Sequence, residues 1–217
     1  EDFDAALAAG ATESRLFFLR GRSRRKLGDA AGASADTQEG LTRTPSDELS
    51  WLARGYARMA KPADALADFQ KALELNPNSI MALQNIAGVQ SDYLQQLDES
   101  LKTLDALITR QPARPLWYSS RAVIRARQSN REAALADLVQ AERLVAAREF
   151  ADDAALVYYQ AACVHARLIT PDASGKASAT AALAALRRAL PLQWSLATNA
   201  PADPDLHKLR DVAAFRE

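Results

Sequence analysis

The chain has 217 residues, 27 basic and 27 acidic side chains, 48% hydrophobic residues and one cysteine. These ordinary fractions exclude a wholly disordered chain, zero net charge argues against a nucleic-acid binder that relies on excess Lys and Arg, and a single cysteine excludes an internal disulfide. Alanine, the best helix former, fills 47 positions against 8 for glycine, which predicts an all-α protein.

The first residues, Glu1-Asp2-Phe3-Asp4, lack the basic and apolar regions of a signal peptide. Residues 1–9 look like the end of a helix, so we interpret residues 1–13 as the end of a truncated upstream repeat. This interpretation predicts an uncapped N-terminal face that is open to self-association. No stretch reaches the ~18 apolar residues of a membrane-spanning helix, and we expect a cytoplasmic protein with neither membrane nor nucleic acid as a partner.

A helical pattern then recurs along the chain: an aromatic residue, Arg three residues later, a small residue next, and a second Arg three residues after that. Three copies are complete and two, starting at Leu83 and Tyr158, are degenerate. The complete copies are Phe17-Arg20-Gly21-Arg24, Trp51-Arg54-Gly55-Arg58 and Tyr118-Arg121-Ala122-Arg125.

A second helical pattern follows each of these. It starts with a small residue, and further helix-facing positions come four and seven residues later; the five copies start at Ala33, Ala65, Ser100, Ala134 and Ala182. Two helices in every ~34 residues are typical of stacked helix hairpins. We therefore predict five repeats within 14–191 and a capping tail over 192–217. The repeats span 14–45, 46–79, 80–114, 115–149 and 154–191.

These spacings, together with the closing segment KALELNP at 71–77, resemble the tetratricopeptide repeat (TPR) family over most of the chain. The resemblance implies a right-handed α-α superhelix of about five helix hairpins with a C-terminal capping helix. It also implies a non-catalytic scaffold for protein–protein interaction. Two departures stand out: the third repeat lacks the Arg pair, and the fifth has about eight extra residues around 170–176.

A finer resemblance is to the TPR regions that accompany the kinase domain in bacterial, planctomycete-type serine/threonine protein kinases. The segments FFLRGRSRRKLGD, SDELSW and DPDLHKLRDVAAF carry it. The chain itself has no Gly-rich phosphate loop and no His-Arg-Asp or Asp-Phe-Gly segment. The resemblance implies a module of a larger signalling protein rather than an enzyme.

The first Arg of each copy co-varies with an acid in the second helix. Where Arg20, Arg54 and Arg121 occur, the facing positions hold Asp36, Asp68 and Asp137, and the two degenerate repeats have neither partner. We interpret these as structural ion pairs between the paired helices; the alternative is an arginine ladder that grips an acidic ligand. The second arginines, Arg24, Arg58 and Arg125, show no such pattern and are expected at solvated helix ends or at the rim of a ligand site.

In such an array the first helices line the concave surface. We predict there a mixed apolar and basic groove for a peptide or protein partner with acidic and apolar character. The candidate residues are Phe18, Arg22, Arg25, Leu52, Tyr56, Gln84, Ser119, Val123 and Tyr159, with Cys163 and Arg167 nearby. The same residues could instead contact a neighbouring repeat or the chain's own tail, and the alternative function is a structural or oligomerisation module that acts through its end faces.

The tail is predicted to begin a helix at Pro204, with Asp203 as N-cap, and to cover the last repeat with an apolar stripe at Leu206, Leu209, Val212 and Phe215. His165 and His207 are 42 residues apart with no triad-like carboxylate spacing. Cys163 and His165 point in different directions on one helix. We therefore expect no catalytic residues, no metal ligands and no cofactor.

Overall fold

The computed structural model describes residues 2–147, 151–193, 195–212 and 215. Within these residues the chain forms helices, turns and bends, with no strand. The predicted all-α fold of successive helix hairpins is confirmed. None of the described helices is long and apolar enough to cross a membrane. The chain divides into two compact units, residues 1–103 and 104–217, which are described in turn.

The first unit contains six helices and the beginning of a seventh. A five-residue π-helical turn, Val89–Tyr93, extends the sixth. The helices are α1 (Asp2–Ala8), α2 (Arg15–Lys26), α3 (Ala30–Thr42), α4 (Glu48–Ala57), α5 (Pro62–Leu75), α6 (Ile80–Gly88) and α7 (Leu97–Arg110).

The second unit begins within α7 and ends in a tail of short turns. Its helices are α8 (Pro115–Arg127), α9 (Arg131–Ala146), α10 (Ala154–Arg167), α11 (Ala173–Ala189) and α12 (Ser195–Asn199). The extra residues of the fifth repeat, expected between the helices, are largely absorbed because α11 begins early, at Ala173. The bounds of α2 to α11 fall inside the five repeats drawn from the sequence, whose boundaries as repeats stay a prediction.

Short polar side chains set where the helices begin. Asp29 accepts a hydrogen bond from the backbone N–H of Gly32 at 2.8 Å, and Asp47 accepts one from Ser50 at 3.0 Å. Such caps satisfy N–H groups that have no partner within the helix. Pro62 and Pro115 occupy first-turn positions, where the missing N–H costs nothing.

Glycines on either helix of a hairpin leave room for an aromatic ring from the paired helix. An ideal Cβ added to Gly55 would lie 2.5 Å from a ring carbon of Phe69, which is fully buried between α4 and α5. Gly40 makes the same kind of room for Phe18, since a Cβ there would lie 2.8 Å from the ring. Small residues are therefore required at these crossings by an inserted aromatic ring.

Each predicted Arg–Asp pair is present. Asp36, Asp68 and Asp137 are buried, and they accept hydrogen bonds from the first Arg of their hairpin at 2.6, 2.8 and 2.7 Å. The aromatic residue three positions earlier lies against the same guanidinium, as Trp51 does at 4.3 Å from Arg54. The aromatic–Arg spacing thus places a cation against a ring face while the cation binds the acid.

The expectation for the second arginines was wrong. Arg24 and Arg125 bind the same aspartates, Asp36 and Asp137, at 3.0 and 2.7 Å, and Arg58 lies 3.4 Å from Asp68. Two arginines one helical turn apart therefore converge on one buried carboxylate. We call any arrangement of two arginines on one buried aspartate an Arg–Asp–Arg cluster.

The degenerate repeats replace the cluster with other contacts. In the third, Thr103 occupies the acid's position and donates a hydrogen bond to Gln90 at 2.9 Å, which is a neutral pair in the same register. In the fifth, the corresponding positions are Ala161 and Ala185, both buried. The repeats that lack the aspartate in the second helix thus also lack the arginine in the first helix.

The tail departs from the prediction in its helix type. Asp203 does cap the segment, accepting from the backbone N–H of Asp205 at 2.8 Å, but Pro204–Leu209 forms a 3-10 helix rather than an α-helix. Leu206 and Leu209 are fully buried in the core of the second unit, and Val212 and Phe215 pack against it. The tail covers the second unit through a stripe of period three.

Candidate functional site

An open cleft of about 720 Å³ lies in the first unit. It is formed by one face each of α2 and α4, and Thr37 of α3 and Met81 of α6 also line it. Its other lining residues are Arg15, Phe18, Leu19, Arg22 and Arg25 from α2 and Leu49, Leu52, Ala53, Tyr56 and Ala57 from α4. Most of these follow the i, i+3, i+4, i+7 spacing of a single helix face. We call this site the cleft.

The cleft exposes large apolar side chains. Leu19, Leu49, Tyr56 and Met81 are 39, 47, 56 and 48% exposed. Scattered exposed apolar residues are normal on a protein surface, but a concentration of them in one concave site is typical of a binding surface.

The charge of the cleft is entirely positive among its lining residues. Arg15 is held by Asp47 at 2.7 Å, whereas Arg22 and Arg25 are exposed and form no ion pair within the described part of the chain. An apolar floor beside two arginines that lack acidic partners fits a segment that carries both apolar and acidic side chains.

Tyr56 is held in place from two sides. Its ring meets Phe69 edge to face, with centroids 5.4 Å apart, and its hydroxyl accepts a hydrogen bond from the Asn85 amide at 2.8 Å. Such an oriented aromatic residue loses little side-chain freedom when a ligand binds. Tyr56 therefore has the character of a preformed contact.

The structure brings together five of the nine candidate site residues. Phe18, Arg22, Arg25, Leu52 and Tyr56 line the cleft. Gln84 is exposed on α6 but does not line it. The sequence reasoning missed Leu19, Leu49 and Met81, although extending the helical spacing of the α2 and α4 candidates by one turn would have found the first two.

The other three candidates are buried in the second unit. Ser119 is fully buried and donates a hydrogen bond to Gln160 at 2.5 Å, and Val123 and Tyr159 are each 7% exposed. The Tyr159 hydroxyl donates to Asp203 of the tail at 2.8 Å. Both alternatives weighed from the sequence therefore apply here: Ser119 contacts the neighbouring repeat, whereas Tyr159 contacts the chain's own tail.

The tail is held on α8 and α10 by charged contacts. Arg127 and Arg167 both bind the buried Asp205, at 2.7 and 2.6 Å, which forms a fourth Arg–Asp–Arg cluster. Burial alone would raise the pKa of Asp205, but the hydrogen bonds and charges of the two arginines outweigh it and lower the pKa. The Lys208 ammonium donates to the backbone carbonyl groups of Arg167 and Ile169, at the end of α10.

Cys163, Asp203 and Asp205 place three potential metal ligands within 4.8 Å of one another, a group that sequence spacing did not indicate. Their donor atoms are already engaged, since Asp205 binds two arginines and Asp203 accepts from Tyr159. Burial raises the pKa of the Cys163 thiol, and burial followed by the hydrogen bond to Asp203 raises the pKa of Tyr159. A protonated thiol and paired carboxylates hold the tail and do not fit a cation.

Comparison with known proteins bears on the family. The tetratricopeptide repeat model matches residues 46–79. Among solved structures, TTC0263, a thermophilic TPR protein of Thermus thermophilus, is 18% identical with a TM-score of 0.61, covering 94% of this chain and 100% of the other. A tetratricopeptide repeat protein from Parabacteroides merdae is 18% identical with a TM-score of 0.62, covering 96% and 75%.

A third similar structure is YrrB, a TPR protein with an unusual peptide-binding site. It is 17% identical with a TM-score of 0.54, and the match covers 94% of this chain and 99% of YrrB. At such identities the structural likeness shows the fold alone. The family model thus matches one repeat, residues 46–79, and the likeness to these solved TPR proteins shows that most of the chain shares their fold.

Proposed function

We propose that this protein is a non-catalytic interaction scaffold whose cleft binds a peptide segment of a partner protein, one that carries large apolar side chains and at least one acidic side chain. The observation that carries the proposal is the meeting of four exposed large apolar residues with Arg22 and Arg25 in one concave site. YrrB, which shares the fold, has a peptide-binding site, and this supports the kind of ligand though not its position.

Helical grooves bind such segments by apolar anchors, and charged residues at the rim raise the association rate and select the partner. In the cleft, Leu49, Tyr56 and Met81 supply the anchoring surface, and Arg22 and Arg25 supply the charge. A segment without acidic residues would leave two cations close together without compensation, so we expect acidic peptides to be preferred.

A selection from a random 12-residue phage-displayed peptide library on the full chain tests this proposal. We expect enriched peptides to combine Leu, Phe or Met with Asp or Glu. Their affinities, measured by fluorescence anisotropy, should fall by about 10-fold or more in Tyr56→Ala and in Arg22→Glu, which corresponds to at least ~1.4 kcal/mol of binding free energy.

Two variants outside the cleft serve as controls. Tyr93 has the same exposed fraction as Tyr56, 56%, and Arg143 is an exposed arginine of α9, so Tyr93→Ala and Arg143→Glu should leave the affinities unchanged. Enriched peptides that bind Tyr56→Ala and Arg22→Glu as tightly as the wild type would contradict the proposal.

A structural or oligomerisation function is favoured by one separate observation: α1 buries none of its residues. A second copy could cover that face. Light scattering that gives a monomer mass at every concentration up to the millimolar range would exclude this second function.

The finer resemblance of residues 17–29, 46–51 and 203–215 to TPR regions of bacterial serine/threonine kinases supports placing the scaffold in a larger signalling protein. The scaffold would then bring a substrate or regulator to the enzyme. The test is the domain organisation of the gene product that contains this chain.

A further inference from the structure

The tail occupies, within the second unit, the helix face that is open within the first. Aligning the first helices on their small residue gives equivalent positions three residues before it and one residue after it. In the first unit these positions are Phe18 and Arg22 of α2 and Leu52 and Tyr56 of α4, and all four line the cleft. In the second unit they are Ser119 and Val123 of α8 and Tyr159 and Cys163 of α10, and three of these pack in one buried cluster with Leu206 and Leu209 of the tail.

The contacts of the tail are those of a recognised ligand. A segment that only had to cover apolar surface would need no charge, yet Asp205 is brought to 3% exposure between Arg127 and Arg167. Because removing three charges from water is costly, a buried ion cluster adds little stability for its size and mainly selects one partner geometry. Lys208 and Asp203 add directed hydrogen bonds at either end.

The chain is exposed directly after α11. Pro191, Leu192 and Gln193, which follow α11, are exposed, and Leu192 is 59% exposed. The α12 helix that comes next has five residues and none of them is buried, although its Leu196 packs against the core of the second unit and Ala200, directly after it, is buried there. The exposed residues 191–193 therefore offer a place to cut the chain between α11 and the packed tail.

We propose that the face of α8 and α10 is a binding site for a protein segment with the pattern Asp-Leu-x-x-Leu, and that the tail (Asp205-Leu206-His207-Lys208-Leu209) is its resident occupant in cis. A partner segment of the same chemistry exchanges with the tail, with its aspartate between Arg127 and Arg167 and its two leucines in the pocket above Val123, Tyr159 and Cys163. This site is separate from the cleft and does not depend on it.

Exchange is measurable once the tether can be cut. A protease recognition sequence inserted between Leu192 and Gln193 of the full chain allows the tail to be severed after folding. The probe is a fluorescein-labelled synthetic peptide with the sequence of residues 200–212. A tethered segment has an effective concentration in the millimolar range, so we expect the probe to bind the cut protein at least ~100-fold more tightly than the uncut protein.

The charge requirement separates recognition from simple covering. A probe with Asn at the position of Asp205 should bind the cut protein at least ~10-fold more weakly, since two arginines then lose their acid. A second variant, Arg22→Glu with Tyr56→Ala in the cut protein, should bind the probe as well as the unchanged cut protein, because the cleft is another site. While the probe replaces the severed tail, the backbone amides of α8 and α10 should stay protected from hydrogen exchange.

Several results would overturn this inference. A severed tail that does not exchange with excess probe, or unfolding of α8 and α10 when it leaves, would make the tail part of the core. Equal binding of the Asp and Asn probes would remove the proposed specificity, and loss of binding in the cleft variant would move the binding to the first unit.

Discussion

One buried carboxylate between two arginines is the recurring residue-scale device of this protein. It occurs at Asp36, Asp68 and Asp137 within hairpins and at Asp205 in the tail. The first Arg of each hairpin cluster is the more enclosed, as with Arg121 at 16% side-chain exposure against 26% for Arg125. The two arginines of a cluster are therefore not equivalent, and the acid is the member whose loss leaves most charge uncompensated.

Asp137→Ala is expected to lower the free energy of unfolding by about 3–5 kcal/mol, because it leaves two partly buried guanidiniums facing each other. Arg125→Gln should cost about 1 kcal/mol or less, since Asp137 keeps its bond to Arg121. Urea denaturation of the two variants measures the difference. The exposed pair of Lys102 and Glu99 supplies the control, in which Lys102→Ala should have almost no effect. Equal losses for Asp137→Ala and Arg125→Gln would show that the aspartate is not the centre of the cluster.

Substitution of alanine for glycine is expected to change the stability in opposite directions at two positions. Gly55→Ala should destabilise the protein by about 1–3 kcal/mol, because the new methyl group meets the buried ring of Phe69, and this outweighs the gain of about 1 kcal/mol in helix propensity. Gly88, at the end of α6, has open space around an added Cβ and helical backbone angles, so Gly88→Ala should stabilise by up to about 1 kcal/mol. Thermal unfolding of both variants checks the signs, and a stabilised Gly55→Ala would disprove the packing argument.

At the scale of single elements, the tail shows why a correct start signal can precede a helix of another type. Asp203 and Pro204 are suited to the first turn of an α-helix or a 3-10 helix alike. The apolar residues at 206, 209, 212 and 215 recur every three residues, which is the 3-10 period, so that Leu206 and Leu209 lie on one side. The constant three-residue spacing of these apolar residues could have indicated a 3-10 helix from the sequence.

The tail contact is expected to weaken in acid. The pKa of Asp205 is lowered in the folded state, so its contribution to stability is complete above the unfolded pKa of about 3.9 and is lost as the pH falls through the lower folded value. The difference in unfolding free energy between the wild type and Asp205→Asn should therefore be constant from pH 7 to about 5 and shrink below about pH 4. Asp211→Asn, at an exposed position of the same segment, is the matched control variant.

A difference between wild type and Asp205→Asn that stays constant down to pH 2 would show that Asp205 carries no charge-dependent contact. A difference that grows in acid would contradict the lowered pKa itself.

At the scale of the whole molecule, the fold was more predictable than the site. The small residues at 21, 55 and 122 recur at the repeat period, and hairpin packing depends on them, so the helix order followed from the sequence. The cleft depends on which first-helix faces stay open, and that is decided by residues far along the chain. Nothing near Tyr159 in sequence indicates that Asp203, 44 residues later, covers it. For Arg24, by contrast, the signal was present but not used: the second arginines, like the first, occur only in the three repeats that hold the acid, and Arg24 binds Asp36.

Because each repeat is stabilised mainly by its own hairpin and its neighbours, damage should stay local. Asp68→Ala is expected to accelerate hydrogen exchange in α4 and α5 strongly while α10 and α11 keep wild-type protection. Glu74→Ala, at an exposed position of α5, should leave all four helices unchanged. Native-state hydrogen exchange detected by mass spectrometry resolves the helices, and uniform acceleration along the chain would show instead that the protein unfolds as one cooperative body.

The confinement of each hairpin cluster to one repeat has a consequence for how such genes change length. The partners of the cluster around Asp36 lie 12 and 16 residues before it, so a duplicated or deleted repeat carries its acid and both arginines together. Duplication or deletion of a whole repeat therefore leaves no buried aspartate or arginine of these clusters without its partner. The tail cluster is different, because Asp205 binds arginines 78 and 38 residues away. Insertion of a repeat between them would separate the partners, so lineages should gain or lose repeats upstream of α8 more readily than downstream of it.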